Sequence, residues 1–76
     1  GIMNGDYVVI QKQDIASNGE IIVALVNKQE VTLKRIFYLP NRKIELRPEN
    51  SDMESMLYSA KSVQVQGKMV GLFRAY

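Results

Sequence analysis

One lysine lies in the middle of a segment whose other residues are typical of a β-strand, and it is the residue that most readily suggests chemistry. The segment reads EVTLKRIFYLP over residues 30–40. Alternation along a strand places Thr32, Lys34 and Ile36 on one face. A lysine in a strand is usually a solvated residue, and that is one interpretation of Lys34. The alternative is that burial among such neighbours disfavours the charged form of its amine, so that it can act as a general base.

A general base needs a group to activate, and a Ser–Lys dyad is one known arrangement. Thr32 is a second candidate site residue, because its hydroxyl lies two residues from Lys34 on the same face and can orient the amine through a hydrogen bond. The alternative is that Thr32 is only a β-branched residue that suits a strand. Arg35, on the opposite face, is expected to be solvated or to form an ion pair. The local sequence marks none of the serines as a nucleophile: Ser17, Ser51, Ser55, Ser59 and Ser62.

Other kinds of site have little support in the sequence. The chain contains no cysteine and no histidine, which excludes thiol chemistry, Cys/His zinc sites and histidine acid–base catalysis. Asp52 and Glu54 are close in sequence but lie in a polar stretch, where we expect them to be solvated. The Asn4-Gly5-Asp6 stretch is a turn and not a phosphate-binding loop, since no Gly-Lys-Ser/Thr follows it. We therefore expect no cofactor and no metal.

A nucleic-acid-binding surface is a weaker alternative. Lys34, Arg35, Phe37 and Tyr38 combine basic and aromatic side chains, as a sheet that binds single strands would. Alternation divides these four residues between two faces, however. The net charge of +2, from 10 basic and 8 acidic residues, is also too small to indicate nucleic acid by itself. An OB-like binder would show strongly salt-dependent binding to single strands.

The elements that must position Lys34 are short strands separated by turns. With 76 residues, the chain can form one domain. The apolar run 21–26 predicts a central strand buried on both faces. Turn residues at 18–19, 27–29 and 40–41 separate the segments. The predicted strands cover residues 7–12, 21–26, 30–38, 43–47, 62–66 and 68–74.

Two regions are less regular. Residues 49–61 are the least strand-like, and could hold a helical turn with Ser51 as its cap and Glu54 three residues on. Gly67 and Gly71 indicate a bend or bulge near the end of the chain. The predicted fold class is all-β, a small, strongly bent sheet or partial barrel of about six short strands.

Five stretches occur in the order seen in the C-terminal domain of LexA-type repressors, and together they extend over essentially the whole chain. This domain is shared by phage repressors and the mutagenesis protein UmuD, and signal peptidases have a related Ser–Lys core. The resemblance implies that residues 1–76 are a single, partial LexA-like C-terminal peptidase and dimerisation domain. The stretches are GIMNGDYVVI at 1–10, NGEIIVA at 18–24, VTLKR at 31–35, LRPENS at 46–51 and GKMVGLFR at 67–74.

The resemblance implies an autoprotease. In the family, the nucleophile is a serine followed by methionine, a few residues upstream of the Gly-Ile-Met-Asn-Gly-Asp stretch. The base is the lysine of Val-Thr-x-Lys-Arg, which falls here on Lys34. The neutral amine takes the serine proton, the serine attacks a peptide bond of the same protein, and backbone amides hold the oxyanion. The cleavage removes the DNA-binding domain and derepresses the SOS genes, and a RecA filament on single-stranded DNA promotes it.

Because the chain opens after the position of that serine, we expect it to be an inert fragment of a cytoplasmic repressor. DNA would be bound only through an N-terminal domain outside this sequence, and no apolar run is long enough to span a membrane.

The resemblance also implies a homodimer. The last strand, with Val70, Leu72 and Phe73, is the predicted interface because it would otherwise be an unprotected edge. The alternative reading is a non-catalytic dimerisation or interaction module of a phage or mobile-element repressor.

Overall fold

The fold is one antiparallel sheet of six strands. The computed structural model describes residues 5–49 and 54–74. The strands lie in the order β1-β6-β2-β3-β4-β5, so β1 and β5 are at opposite ends and the sheet is not closed into a barrel. The elements are β1 (Asp6–Lys12), β2 (Ile21–Val26), β3 (Glu30–Leu39), β4 (Lys43–Arg47), β5 (Met56–Ser59), a 3₁₀ turn at Ala60–Ser62, and β6 (Val63–Arg74).

The predicted all-β class with about six short strands is confirmed, since six antiparallel strands form one open sheet.

The number of strands was predicted correctly, but two of their positions were wrong. Residues 56–59, assigned to a loop or helical turn, form β5. Two strands were predicted over residues 62–66 and 68–74, but residues 63–74 form the single strand β6. β5 forms because Met56 and Tyr58 pair with Leu46 and Ile44 of β4, and this partner is not visible in the local sequence. The proposed cap Ser51 lies outside the described residues, as does Asn4 of the first turn.

β6 bends without breaking at its two glycines. The pairing with β2 shifts register between Val23 and Ala24, opposite Gly67 and Val65. The pairing with β1 shifts between Val9 and Ile10, opposite Gly71 and Met69. Each shift leaves one extra residue on β6 next to a glycine, which is the arrangement of a β-bulge. The predicted bend or bulge at Gly67 and Gly71 is confirmed.

The last strand was predicted to be an unprotected edge, and over residues 69–74 it has a strand on only one side among the described residues. β6 pairs with β2 along residues 63–68 and with β1 along residues 67–74. Among the described residues, β6 lacks a second strand over residues 69–74, on the side away from β1, and over residues 63–66, on the side away from β2. The side chains of Val70, Leu72 and Phe73 nevertheless remain exposed.

The core covers one face of the sheet. Every second residue of β2 and β4 is buried, as expected for strands that present alternate side chains to a core. The prediction that residues 21–26 are buried on both faces was wrong, because Ile21, Val23 and Leu25 are only half-buried. No second layer covers that face within the described part of the chain. The buried hydrophobic residues are Ala16, Ile22, Ala24, Val26, Ile36, Ile44, Leu46 and Val65.

Two hairpins place β3 between β2 and β4. Asn27 and Lys28 have φ angles of 52° and 58°, and Asn41 and Arg42 have φ angles of 62° and 56°. Paired left-handed residues match the twist of antiparallel strands, and asparagine tolerates this conformation better than most residues. Both predicted hairpin turns are confirmed, and their lengths set the register that places Lys34 on the core face.

A matched pair of glycine substitutions tests how closely β1 and β6 pack. A Cβ on Gly67 would lie 2.5 Å from Cγ2 of Ile10 and 3.1 Å from the carbonyl oxygen of Gln11, whereas a Cβ on Gly71 would meet Val9 at an ordinary 3.5 Å. We expect Gly67→Ala to lower the free energy of unfolding by about 1–3 kcal/mol. Gly71→Ala should leave it unchanged or raise it slightly. Urea denaturation of both variants measures the difference, and equal effects would contradict the prediction.

Candidate active site

Lys34 lies in the middle of β3 on the core face. It pairs with Ile22 of β2, and the next residue on its own face is the fully buried Ile36. Its side chain is half-buried. The amine Nζ donates a hydrogen bond to Oγ1 of Thr32 at 2.8 Å, and a longer one to the carbonyl oxygen of Leu33 at 3.5 Å. The contact between Thr32 and Lys34 that strand alternation made possible is therefore present.

The amine opens onto a cleft of about 450 Å³ that crosses three strands. Leu46 of β4 and Tyr58 of β5 give the cleft an apolar floor, while Glu30 and Glu54 are exposed. Within residues 5–49 and 54–74, none of the carboxylates that form ion pairs does so with Lys34. An ammonium or amine with one strong acceptor has capacity for a further partner. The cleft thus leaves space for a peptide segment next to a lysine that no described carboxylate holds in an ion pair.

The described serines do not supply a nucleophile to this lysine. The hydrogen-bond partners of Lys34 are Thr32 and Leu33, both on its own strand. Ser55 is hydrogen-bonded to Glu45, which lies on the opposite face of β4, and the backbone amide of Ser17 donates to Glu20 at 2.6 Å. Ser51 lies outside the described residues. In the described chain, Lys34 is therefore placed as a candidate base, but no serine is hydrogen-bonded to it.

Arg35 turns to the outer face and forms an ion pair, one of its two predicted states. Its Nε lies 2.9 Å from Oε1 of Glu49, and its guanidinium also donates to the carbonyl oxygen of Gly19.

The basic and aromatic residues near Lys34 do not form one surface. Phe37 faces outward with Arg35, and the guanidinium of Arg47 lies 4.0 Å from its ring centroid. Tyr38 pairs with the buried Ile44 and so shares the face of Lys34. This division, expected from alternation, gives no support to a nucleic-acid-binding sheet.

Ion pairs around the sheet stabilise the ionised forms of their carboxylates. A hydrogen bond from Lys68, with a second from the Ser17 backbone, lowers the pKa of Glu20 below its usual 4.5. A hydrogen bond from Arg47 lowers the pKa of Glu45 in the same way, and the partnership raises the pKa of Arg47. These groups are paired charges on the outside of the fold and are not candidates for proton transfer.

The sequence did not identify the residues that complete the cleft. Met56 and Tyr58 were missed because β5 was not recognised, although the alternation of MLYS was a short signal for it. Of the two carboxylates considered, Glu54 is exposed as expected, and Asp52 lies outside the described residues.

The part of the chain that the structure describes has neither a metal-ligand cluster nor a membrane helix. Residues 5–49 and 54–74 bring no three histidine, cysteine, aspartate or glutamate side chains close enough to share an ion. None of their helical segments has the length and apolar character needed to cross a bilayer.

Comparison with known families identifies the domain that carries this cleft. A family model described as Peptidase S24-like matches residues 1–70, which include Thr32 and Lys34. The chain belongs to the Peptidase S24-like family. As an S24-like domain, it has its lysine on a central strand and its cleft on the core-bearing face of an all-β sheet.

Relatives of this S24-like chain include several LexA repressors. It is 46% identical to the LexA repressor of Clostridium novyi over 76 residues, which are 100% of this chain and 36% of the relative. It is 49% identical to that of Thermotoga petrophila over 73 residues, or 96% and 36% of the two chains. It is 45% identical to that of Granulibacter bethesdensis over 76 residues, or 100% and 31%. The chain thus spans about a third of the length of the curated relatives it matches.

Proposed function

We propose that this chain is part of a LexA-like transcriptional repressor that cleaves itself with a Ser–Lys dyad, and that Lys34 is the general base. The observation that carries the proposal is the amine of Lys34, held 2.8 Å from the Thr32 hydroxyl in an open cleft. The whole-chain similarity to LexA repressors supports the same reading. Residues 1–76 then form a single, partial peptidase and dimerisation domain.

In the proposed reaction the neutral amine of Lys34 accepts a proton from a serine hydroxyl. The serine oxygen attacks the carbonyl carbon of a peptide bond in the same protein, and backbone amides stabilise the oxyanion. The lysine then returns a proton to the leaving nitrogen. Thr32 accepts one N–H of the amine, which directs the lone pair of Lys34 into the cleft. In this proposal the serine lies upstream of Gly1, so the 76 residues alone are catalytically inert.

The biological setting follows from the same proposal. Cleavage would separate the DNA-binding domain of a cytoplasmic repressor from this domain and derepress genes of the DNA-damage response. A RecA filament on single-stranded DNA would promote the reaction, and DNA would be bound only through the other domain.

We also propose that the domain forms a homodimer through β6. The side of residues 69–74 that faces away from β1 has no strand among the described residues, and it carries exposed Val70 and Leu72. Antiparallel pairing of two such sides across a two-fold axis would satisfy both backbones and bury these side chains. Light scattering should give a dimer mass for the wild type and a monomer mass for Leu72→Lys. A wild-type monomer at high concentration would contradict this interface.

The proposed cleavage is tested in the full-length protein that contains these residues. The purified protein is incubated from about pH 6 to about pH 10, and its intact mass is followed with time. The rate should rise with pH, because the mechanism uses the neutral amine. A folded protein that stays intact at every pH, even with RecA filaments added, would leave the non-catalytic dimerisation module as the better explanation.

A further inference from the structure

We propose that the Arg35–Glu49 ion pair, on the outer face of the sheet, positions Lys34 on the inner face. The inference rests on the proposed function and adds a positioning residue to it. Through Arg35, Glu49 holds β3 at the point where the neighbouring strand β4 ends. This contact fixes the direction in which Lys34, the residue before Arg35, presents its amine.

Lys34 lies at the position of β3 where the pairing with β4 ends. Arg35 pairs with Ile21, the first residue of β2, and with Arg47, the last residue of β4. From Lys34 back to Glu30, β3 has β2 on one side and, among the described residues, no strand on the other. Pro48 follows Arg47 and has no N–H with which to extend the ladder. Lys34 is therefore the first residue of β3 beyond the reach of β4.

The side chain of Arg35 bonds to the segments on both sides of β3 at this position. On one side its guanidinium bonds the carbonyl of Gly19, two residues before β2 begins. That side is already secured by backbone bonds from Gly19 N to Ile36 O at 2.7 Å and from Ile36 N to Glu20 O at 3.0 Å. On the other side its Nε bonds Glu49, two residues after β4 ends, at 2.9 Å. In the described chain this ion pair is the side-chain link between β3 and the segment that leaves β4.

The ion pair is better shielded than a fully exposed one. The side chains of Arg35 and Glu49 are 38% and 25% exposed, and partial removal from water strengthens a charged hydrogen bond. Successive residues of a strand point to opposite faces, so holding the backbone at Arg35 also sets the Cα–Cβ direction of Lys34. The amine must stay within hydrogen-bond distance of Thr32 and of the incoming serine, and a displacement of about 1 Å can slow a reaction by about 100-fold.

The test compares two ion pairs on the same face of the sheet. The first-order rate of self-cleavage of the full-length protein is measured from about pH 6 to about pH 10, well below the thermal midpoint of each variant. Glu49→Ala should lower the rate about tenfold. Glu49→Gln, which keeps an oxygen for Arg35, should restore most of the rate. The matched control is Glu45→Ala, because Glu45 forms a similar pair with Arg47 at 2.8 Å that lies entirely within β4. It should stay within about twofold of wild type.

Each outcome decides between the two proposals. Cleavage by wild type with Glu49→Ala no slower than Glu45→Ala overturns the positioning role and leaves the Ser–Lys proposal intact. A wild type that never cleaves overturns both. A loss that Glu49→Gln does not restore at all also overturns the positioning role as stated. If Glu49→Ala does not fold, Glu49→Met, which keeps the length of the side chain but removes its oxygens, replaces it with Glu45→Met as its control, and equal rates of these two variants overturn the inference.

Discussion

Replacing Lys34 by alanine should abolish self-cleavage of the full-length protein, with a loss of at least about 1,000-fold in rate. The substitution removes the group that would accept the serine proton. Hydrogen bonds from Lys34 run to Thr32 and to the Leu33 carbonyl, and neither acceptor is a base. Wild type should cleave faster as the pH rises, because the proposed mechanism uses a neutral amine as its base, whereas Lys34→Ala should stay intact across the range. Intact mass after timed incubation measures both.

Two controls separate the base from general effects of charge and packing. Lys61→Ala removes an exposed lysine of the 3₁₀ turn and should leave the rate unchanged. Thr32→Val keeps the size of the side chain but removes the hydroxyl that accepts from the amine, and should slow cleavage by about tenfold, while Thr32→Ser should retain most of the rate. Cleavage by Lys34→Ala at the wild-type rate would reduce Lys34 to an ordinary strand lysine.

Replacing Ile36 by alanine should lower the free energy of unfolding by about 2–5 kcal/mol. Ile36 is fully buried, and it pairs directly with the buried Leu46 of β4. The truncated side chain would leave a cavity between β3 and β4 that a single-layer sheet can fill only partly. A chain of this length has a total stability of about 4–11 kcal/mol, so the variant is expected to be unfolded or close to it at ambient temperature.

Urea denaturation followed by far-ultraviolet circular dichroism measures this change. The matched control is Val31→Ala in the same strand. Val31 is 61% exposed on the outer face, and its truncation should cost less than about 0.5 kcal/mol. Similar costs for the two variants would mean that the inner face of β3 is not the core of this fold.

The local sequence determined much of the site. The bounds of β2 and β4 were predicted exactly, since each is a β-rich segment between turn residues and needs no knowledge of its partner. The contact of Lys34 with Thr32 was also predictable, because residues two apart on a strand always share a face. The faces of Arg35 and Ile36 follow from the same period of two.

Only the tertiary structure decided which distant segments surround Lys34. β5 is four residues long and exists as a strand because β4 pairs with it, and without it the cleft lacks Met56 and Tyr58. The partner of Arg35 depends on where β4 ends relative to β3, which brings Glu49 to 2.9 Å across 14 positions of sequence. The pairing of β6 with β2 over residues 63–68 and with β1 over residues 67–74 likewise determined which side of the last strand stays open. Periodicity assigns each side chain to a face, but contacts across strands depend on register, and register is determined by the packing of the whole sheet.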